Sequence, residues 1–382
     1  MTKKRICIFT GKRGGFGAML GLMSRIQADP NLTLQVVASD MHLNATFGST
    51  LNEVSERVAV DAVVDLGDYG SNEIDRTQAL GRCISEFAPV IDRLNPDIIV
   101  LLGDRGETLA AAFCAVEMGV VIAHIQAGDI SGGIDDIHRH SITKLSHLHF
   151  SQNESQRQRV ISLGEREDRV WNSGAPYIDN ILASQFVPTK DALIKLNLPP
   201  DGPFIIVLQH PDTYRPEDSF AHTEAILSAM KDRPENKIVV YPCSDPGYDG
   251  VIDAIRHIED TPRFHVFRNI EAMTFLGLLH GAIALVGNSS GGIIEAPYCR
   301  LPFILVGARQ DGRQMANNVI KVDAPHPEKI LSALEHSQSD DFQTGMANDS
   351  QPFGDGNACE RIFNVLRNVE ITPELFRKRI TY

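Results

Sequence analysis

The sequence of 382 residues is short of paired cysteines, long apolar runs and positive charge, and each shortage excludes a class of protein. Its six cysteines form no Cys-x-x-Cys pair and are Cys7, Cys83, Cys114, Cys243, Cys299 and Cys359. Several fall inside strand-like or helix-like runs, so we expect buried thiols rather than a disulfide or zinc framework. No apolar run approaches the roughly 20 residues that span a bilayer, and the segment MTKKRICIFTG has no signal-peptide cleavage site. We therefore expect a cytoplasmic protein that does not enter a membrane.

The 36 Lys and Arg residues are outnumbered by 49 Asp and Glu residues, which gives a formal net charge of −13. Such a surface repels nucleic acid and anionic membranes, so we expect neither as a partner. A local basic pocket for a small phosphorylated ligand is still compatible with this charge. The length exceeds what one ordinary hydrophobic core organises, so we expect two domains.

Short β-rich runs alternate with helix-like stretches along the chain. The predicted strands of the first half are ICIFTG, LTLQVVAS, DIIVLLGD, VVIAHIQAG and HLHFSQN, and those of the second half are PFIIVLQH, NKIVVYPC and AIALVGNSS. This alternation predicts an α/β fold with doubly wound parallel sheets. The pattern restarts after the proline-containing stretch VPTKDALIKLNLPPDGP, which places a boundary within residues 172–202.

We expect two Rossmann-like domains that face each other across a cleft, because candidate residues occupy strand ends in both halves, where such sheets bind ligands. The expected divisions are an N-terminal domain over residues 1–175, a second domain over 176–360 and a helical segment over 361–382. The stretch SQSDDFQTGMANDSQPFGDGN is predicted to be a loop that leads to a closing helix near ERIFNVLRNV.

The first candidate is Arg13, in a glycine-rich turn between the first strand and the first helix. Backbone amides at such a turn favour a phosphate. A dinucleotide site with Asp40 as the ribose acid is an alternative, although the spacing is not Gly-x-Gly-x-x-Gly. A plain tight turn is another.

Further candidates follow the next two strands of the first half. They are Asp104 and Arg105 after DIIVLLG, and Gln126, Asp129, Asp135, Asp136, Arg139 and His140 after VVIAHI. On a helix that begins near Ile134, the spacing puts Asp136, Arg139 and His140 on one face. Crowded carboxylates and imidazoles suit general acid–base catalysis. A helix N-cap for Asp104 and surface ion pairs for the others are the alternatives, and we expect no metal because Arg139 would repel one.

The second half offers polar residues, a glycine and arginines at or just after its strand ends. They are His210, Ser244, Ser289, Ser290, Gly291, Glu295, Arg309 and Arg313. Glycines and hydroxyls that open a helix can donate to a diphosphate. A carboxylate one turn later, Glu295, can accept hydrogen bonds from two ribose hydroxyls. His210 as a turn cap, and the two arginines as surface charges, are the alternatives.

Taken together, these motifs resemble the hydrolysing UDP-N-acetylglucosamine 2-epimerases of sialic and legionaminic acid synthesis, including the epimerase half of the bifunctional animal enzyme. The likeness covers nearly the whole chain. Its specific parts are, in order, Gly103-Asp104-Arg105, Gly133-Ile134-Asp135-Asp136 with Arg139-His140-Ser141-Ile142-Thr143-Lys144, Gln209-His210-Pro211, Gly287-Asn288-Ser289-Ser290-Gly291 and Arg309-Gln310-x-Gly312-Arg313.

The resemblance implies a two-domain fold of the glycosyltransferase-B type whose last helix returns to the first domain. It implies loss of the C2 proton and of the nucleoside diphosphate to give a glycal, to which water adds. Asp104 and an acid of the Asp135–Asp136 pair would be catalytic, and His210 would stabilise charge on the leaving phosphate. The residues implied to hold the nucleotide are Arg13, Ser289, Ser290, Glu295 and Arg309. The resemblance implies no cofactor or metal. It implies a homo-oligomer, either a dimer or a tetramer.

Three departures from the family's usual motifs lie where sugar and base are expected to be recognised. Arg13-Gly14-Gly15-Phe16 lacks a usual acid, Gln126 stands in place of a usual glutamate, and Pro242-Cys243-Ser244-Asp245 lacks a usual asparagine. Because an amide cannot exchange a proton at neutral pH, we expect Asp129, three residues after Gln126, to serve as an acid. The alternatives are a non-hydrolysing 2-epimerase, a glycosyltransferase of the same fold, or a binding protein without catalysis. The sequence leaves open whether the nucleotide carries uracil or guanine. It also leaves open whether the sugar is N-acetylglucosamine or a 2,4-diacetamido-trideoxy sugar.

Overall fold

The computed structural model describes residues 3–347 and 351–381 and divides into two compact units. The first unit comprises Met1–Ile130, Ile134–Asn180 and Phe353–Tyr382, and the second comprises Ser131–Gly133 and Ile181–Pro352. The main change from first to second unit thus lies after residue 180, against an expected division after 175. The return to the first unit begins at residue 353, against an expected 361.

The first unit contains a sheet of seven parallel strands in the order β3-β2-β1-β4-β5-β6-β7. They are β1 (Lys4–Thr10), β2 (Leu32–Ser39), β3 (Ala62–Val64), β4 (Ile98–Leu102), β5 (Val121–Ile125), β6 (Leu148–Ser151) and β7 (Val170–Asn172). Every residue of β4 and β5 is buried. Their continuous apolar sequences therefore suit central strands covered on both faces.

Helices connect the strands of this unit. They are α1 (Arg13–Ala28), α2 (Leu51–Arg57), α3 (Glu73–Leu94), α4 (Gly106–Glu117), α5 (Ile134–Leu145), α6 (Glu154–Ser162) and α7 (Asp179–Leu182), which contains the change of unit. Helices α3 and α4 pack together, and Phe87, Ile91 and Ala111 are among the buried residues that they contribute to the core. Helices α3 and α4 thus bury one face of the sheet.

The second unit repeats this plan with six parallel strands in the order β10-β9-β8-β11-β12-β13. They are β8 (Phe204–Leu208), β9 (Asn236–Val240), β10 (Phe264–Phe267), β11 (Ala284–Gly287), β12 (Phe303–Val306) and β13 (Val319–Val322). Its helices are α8 (Thr189–Lys195), α9 (Ser219–Met230), α10 (Tyr248–Arg256), α11 (Ala272–Gly281), α12 (Gly291–Ile294), α13 (Pro327–Ser337) and α14 (Asp340–Ala347). Both strand orders are those of Rossmann-type sheets, so the predicted fold class is confirmed.

Helix α14 corrects the prediction that residues 337–357 form a loop. The hydroxyl of Ser339 accepts a hydrogen bond from the Phe342 N–H at 3.3 Å, and Asp340 and Asp341 occupy the first turn. A serine cap followed by acidic residues favours a helix start, and burial of Met346 fixes the other end. Positions 348–350 of the predicted loop lie outside the described residues.

Two last helices, α15 (Ala358–Asn368) and α16 (Pro373–Phe376), belong to the first unit. After α16, Lys378 Nζ donates to the carbonyl of Thr143 at 3.2 Å and to that of Ser146, at the C-terminal end of α5. It also pairs with Glu165 at 2.7 Å. A cation at a helix C-terminus is stabilising, so this segment supports α5 from its far end.

The cysteines are unpaired, as predicted. All six are free thiols, and all but the partly exposed Cys299 are buried. Across the described parts of the chain, no helix combines the length and the apolar character needed to cross a membrane.

Candidate active site

Polar residues gather at the carboxyl ends of the strands where each sheet reverses its strand order. In the first sheet the reversal lies between β1 and β4, and in the second between β8 and β11. Ligands of open α/β sheets bind at such points. Arg13 and Asp104 follow β1 and β4, and His210 and Ser289 follow β8 and β11.

Arg139 organises the cluster of the first unit. Its fully buried guanidinium contacts the carboxylate of Asp104, the Asp136 carboxylate at 3.3 Å and the Asp129 carbonyl at 3.2 Å. Burial by itself lowers the pKa of Arg139, but the surrounding aspartates outweigh burial and raise it. The side chain expected to bind substrate is therefore a charged hub inside the protein, and it draws the candidate acids together.

The turn that carries Asp104 is fixed from behind by His124. Its ring is buried, and Nε2 lies 2.8 Å from the carbonyl oxygen of Gly103, whose φ is +86°. Since a carbonyl accepts only, Nε2 carries the proton, and Nδ1 accepts from the Thr143 hydroxyl at 3.1 Å. Burial lowers the pKa of His124 to about 3. A neutral imidazole thus holds the backbone directly before Asp104.

Gln126 and Asp129 lie together after β5. Gln126 is buried with a positive φ of +71°, and its Nε2 is 3.5 Å from Asp129 Oδ2. Asp129 is 1% exposed, and its Oδ1 accepts the Ile130 N–H at 3.0 Å. A positive φ is uncommon outside glycine and is often associated with functional turns. The amide therefore orients the neighbouring carboxylate.

Helix α5 begins at Ile134, as predicted, and places Asp136, Arg139 and His140 on one face. Asp136 contacts the Arg139 guanidinium and lies 3.6 Å from His140 Nε2. Burial lowers the pKa of His140, although the charge of Asp136 raises it in part. Asp135 is 9% exposed and adds to the negative charge around Arg139. The surface ion pairs considered from sequence are here part of a mostly buried network.

A second buried network lies beside Asp104 and was not recognised in the sequence. Arg105 pairs with Asp40 at 3.5 Å and with Glu107 at 3.3 Å. Arg76 pairs with the same carboxylates at 3.3 and 2.5 Å, and Tyr69 donates to Asp40. Burial raises the pKa of Glu107, and the charge of Asp40 raises it further, whereas the two arginines lower it.

This network changes the expectations for two residues. Arg105, a predicted substrate ligand, is 3% exposed and is held by internal carboxylates. Asp40, the ribose acid of the dinucleotide alternative, is likewise engaged internally. Arg76 joins from the first turn of α3, 29 positions before Arg105, so nothing local in the sequence signals the network.

Arg13 is the first residue of α1 and is partly exposed. It lies near His42, and burial lowers the pKa of His42 to about 4. The charge of Asp40 raises this pKa, whereas the charge of Arg13 lowers it. His42 is neutral and hydrogen-bonds Thr10 at 3.0 Å and Thr50 at 2.7 Å. Arg13 therefore lies at the helix N-terminus, where a phosphate is favoured.

In the second unit, His210 follows β8 and is held by two residues of neighbouring strand ends. Its N–H donates to Asn288 Oδ1 at 2.7 Å, and its carbonyl accepts from Asn288 Nδ2 at 2.9 Å. Its ring Nδ1 accepts the N–H of Cys243 at 3.0 Å. Asn288 belongs to the motif expected to bind diphosphate, and its contact with His210 was not predicted.

The small residues after β11 are explained by different constraints. A Cβ on Gly287 would lie 2.1 Å from the Leu208 carbonyl oxygen, and one on Gly292 would lie 2.5 Å from the Phe303 ring. Packing therefore accounts for these two glycines. Ser289 is buried, Ser290 is partly exposed, and Gly291 begins α12 with its N–H 3.4 Å from Ser289 Oγ. The Glu295 carboxylate lies 2.7 Å from the point where a Gly291 Cβ would be, so the predicted nucleotide residues are brought together.

Arg309 and Arg313 lie in the segment after β12 and are both buried. Arg309 pairs with Asp245 at 3.0 Å, and Asp245 also accepts from the Cys243 thiol at 2.9 Å. Ser244, which lies between Cys243 and Asp245 in the sequence, is also buried. The Pro242–Asp245 turn and Arg309 thus form one arrangement. Within residues 3–347 and 351–381, no group of three or more His, Cys, Asp or Glu side chains is placed to hold a metal ion.

A family model described as UDP-N-acetylglucosamine 2-epimerase matches residues 24–367 of this chain. The chain belongs to the UDP-N-acetylglucosamine 2-epimerase family. The resemblance inferred from the motifs is thereby confirmed, as is the expected enzyme class, a sugar-nucleotide 2-epimerase.

Relatives of this epimerase-family chain match it over its full length. It is 29% identical over 381 residues to UDP-N,N'-diacetylbacillosamine 2-epimerase (hydrolyzing) of Legionella pneumophila, covering 99% of this chain and 100% of the relative. It is 31% identical to a UDP-N-acetylglucosamine 2-epimerase of Neisseria meningitidis, covering 98% of both. The crystal structure of UDP-GlcNAc 2-epimerase from Neisseria meningitidis bound to UDP-GlcNAc shares the fold, with a TM-score of 0.78, 19% identity and coverage of 95% of this chain and 99% of that one.

Proposed function

We propose that this protein hydrolyses a nucleoside-diphosphate-linked 2-acetamido sugar and releases the free 2-epimer together with the nucleoside diphosphate. Membership of the 2-epimerase family supports the reaction class. The observation that carries the assignment of residues is that Arg139, near the strand-order reversal of the first sheet, contacts the carboxylates of Asp104 and Asp136 and the backbone carbonyl of Asp129.

The chemistry requires one group to take a proton and one to give a proton. A carboxylate removes the C2 proton, the C2–H electron pair forms the C1=C2 bond, and the C1–O bond breaks with its electrons on the diphosphate. Water then adds its oxygen to C1 of the glycal, and a proton reaches C2 from the opposite face. Asp104 and Asp129, with an acid of the Asp135–Asp136 pair, are the groups we assign to these transfers.

The other residues support these steps. Arg139 and Arg105 hold the acids and their turn from inside the first unit, Gln126 orients Asp129, and His140 faces Asp136. In the second unit, His210 donates to the departing diphosphate, where charge develops. The proposed nucleotide-binding set is Arg13, Ser244, Ser289, Ser290, Gly291, Glu295, Arg309 and Arg313.

Product analysis tests this function. The protein is incubated in D2O with UDP- and GDP-linked forms of N-acetylglucosamine and of the 2,4-diacetamido-trideoxy sugar, because relatives named for both sugars match the chain. We expect a free 2-epimer with deuterium at C2 and one nucleoside diphosphate for each sugar released. An epimerised but intact sugar nucleotide would instead show a non-hydrolysing enzyme. No turnover until an acceptor is added would show a glycosyltransferase, and tight binding without any turnover would show a binding protein.

The reaction has a proposed setting. Following the resemblance, we propose that the released mannosamine-type sugar feeds synthesis of a sialic or legionaminic acid. We propose the cytoplasm as the compartment, since all six cysteines are free thiols.

We further propose a homo-oligomer formed through the outer face of α4 and α5. Phe113, Val116 and Met118 expose 47%, 37% and 37% of their surface at α4, and Ile137 exposes 59% on the adjoining α5. Several exposed apolar side chains on two adjoining helices are typical of association surfaces. Light scattering on the double variant Phe113→Asp, Ile137→Asp should give a monomer mass. The control Ile194→Asp, 58% exposed on α8, should leave the mass unchanged, and an unchanged mass for the double variant would refute this surface.

A further inference from the structure

Asn288 occupies a position that the neighbouring strands define closely. Strands β8 and β11 are paired with Leu208 opposite Gly287. Gly287 has a φ of +141°, and a side chain there would collide with the Leu208 carbonyl. The strands therefore approach closely just before Asn288, whose N–H donates to that same carbonyl at 3.3 Å. This approach brings the Asn288 side chain to the backbone of His210, 78 residues earlier.

The side-chain amide of Asn288 is fully engaged in this contact. Its oxygen accepts the His210 N–H at 2.7 Å, and its nitrogen donates to the His210 carbonyl at 2.9 Å. The residue is 2% exposed, and its own carbonyl accepts from Gln310 Nε2 at 2.8 Å. The amide imitates a further peptide group of β11, so it fixes the backbone from which the His210 ring projects. An arrangement of this kind leaves Asn288 no role as a diphosphate ligand.

The ring of His210 is held by a separate contact. The N–H of Cys243 lies 3.0 Å from Nδ1, and a backbone N–H only donates. Nδ1 must therefore be unprotonated, and in the neutral imidazole the proton is on Nε2. A ring protonated on both nitrogens could not accept this hydrogen bond. Backbone and ring are thus held by different strand ends, those of β11 and β9.

We propose that Asn288 is a positioning residue that, with the Cys243 amide, sets His210 as a neutral imidazole whose Nε2–H is the hydrogen-bond donor. The inference rests on the proposed function in one respect, namely that this donor acts on the departing diphosphate. Because the Cys243 contact comes from the backbone, it persists whatever side chain stands at 243. Asn288 is the member of this arrangement that mutation can remove.

The first test reads the protonation of the ring without using activity. In protein labelled with ¹⁵N-histidine, with the His210 signals assigned by their loss in His210→Ala, we expect a pyridine-type shift for Nδ1 and a pyrrole-type shift for Nε2. In Asn288→Ala the two shifts should move toward each other as both tautomers are sampled. A proton on Nδ1 in the parent protein would overturn the proposal, as would unchanged shifts in Asn288→Ala.

The second test is a double-mutant cycle on turnover. Asn288→Ala should lower kcat at least about tenfold in the parent, and by less than about twofold when His210 is already alanine, since residues that act through one another are not additive. His210→Ala alone should cost about 100- to 1,000-fold, the scale of one lost oxyanion donor. Equal losses from Asn288→Ala in both backgrounds would show that it does not act through His210.

Two further variants separate positioning from general stability. Asn318 is equally buried in the second unit, and its Nδ2 donates to the carbonyls of Gly292 and Leu301 at 3.0 Å each, away from His210. Asn318→Ala should leave the His210 shifts unchanged, and a matching change would overturn the proposal. Asn288→Asp should not rescue, because it sets a carboxylate oxygen against the His210 carbonyl. If no sugar nucleotide is turned over, the proposed function fails, while the ¹⁵N shifts still decide the role of Asn288.

Discussion

The strand-end clusters of the two units differ in chemistry although both sheets have Rossmann-type strand orders. In the first unit, Arg76, Arg105 and Arg139 are each less than 10% exposed and are matched by carboxylates. In the second unit, the hydroxyls of Ser289 and Ser290 and backbone amides lie at the strand ends, together with the buried ion pair of Arg309 and Asp245. Proton transfer needs charged groups held in fixed positions, whereas an anion is bound well by neutral donors. This difference supports the proposal that the first cluster carries out the proton transfers and that the second binds the nucleotide.

The largest expected effect removes the hub of the charged cluster. Arg139→Met takes the guanidinium from Asp104 and Asp136 in a buried setting, so we expect a loss of about 3–5 kcal/mol in the free energy of unfolding. Urea denaturation measures it. Arg256→Met, which removes an exposed pair with Asp253, is the control and should cost at most about 0.5 kcal/mol. Similar losses in both variants would contradict the role of Arg139 as a hub.

The next effect concerns turnover. Asp104→Asn and Asp129→Asn should each lower kcat at least roughly a hundredfold, the usual scale for loss of an acid or base. Gln126→Ala should cost much less, because an amide only orients its neighbour. Steady-state assays of nucleoside diphosphate release compare the three. An Asp129→Asn variant nearly as active as the parent would show that the acid lies elsewhere.

Acid should weaken the first unit before the second. Burial lowers the pKa of His42, His147 and His149 to about 4 and that of His124 to about 3, from 6.5. All four belong to the first unit. Because the unfolded chain binds these protons more readily, stability is full above pH 6.5 and is lost as pH falls toward 4. We expect about 1–2 kcal/mol per histidine at pH 5.

Hydrogen exchange at pH 7 and pH 5, corrected for intrinsic rates, locates this loss. Amides of β5 and β6 should lose protection at pH 5, while those of β8 and β11 keep theirs. Equal losses in both sheets would remove this difference between the units.

The smallest effect belongs to the cluster of the second unit. Ser290→Ala and Glu295→Ala should raise KM several-fold with a smaller fall in kcat, since each removes contacts made by the ground state as well as the transition state. Isothermal titration with UDP and GDP should show the same loss of affinity. Unchanged affinity in both variants would place the nucleotide away from α12.

Much of the fold follows from local sequence. The continuous apolar runs of β4, β5 and β8 predict buried parallel strands, and the i,i+3 spacing of Asp136 and Arg139 predicts their shared face. Strands β6 and β11 were predicted although each has only four residues, whereas the comparably short strands β3, β7, β10, β12 and β13 were not recognised. Four of them are edge strands, so the sheet itself supplies what their sequences do not.

The site was less predictable because its important contacts are distant in sequence. Arg139 meets Asp104 across 35 positions, and Asn288 meets His210 across 78. The residue types at these positions are visible, but a guanidinium near three acids or an asparagine after a glycine has many uses. The sequence therefore predicts which residues matter better than it predicts what each one touches.

The first unit is assembled from segments near both ends of the chain, and this has a consequence for folding during synthesis. Residues 353–381 leave the ribosome after every strand of both sheets, yet they complete the first unit and bring Lys378 to the end of α5. At about 5–20 residues per second, the roughly 170 residues of the second unit take about 9–34 seconds to make, and that unit collapses as it is made. The first unit waits throughout with α5 unsupported. A nascent chain should therefore acquire nucleotide-binding structure before it acquires catalytic competence, and a chaperone that engages it should be found on the strands made first.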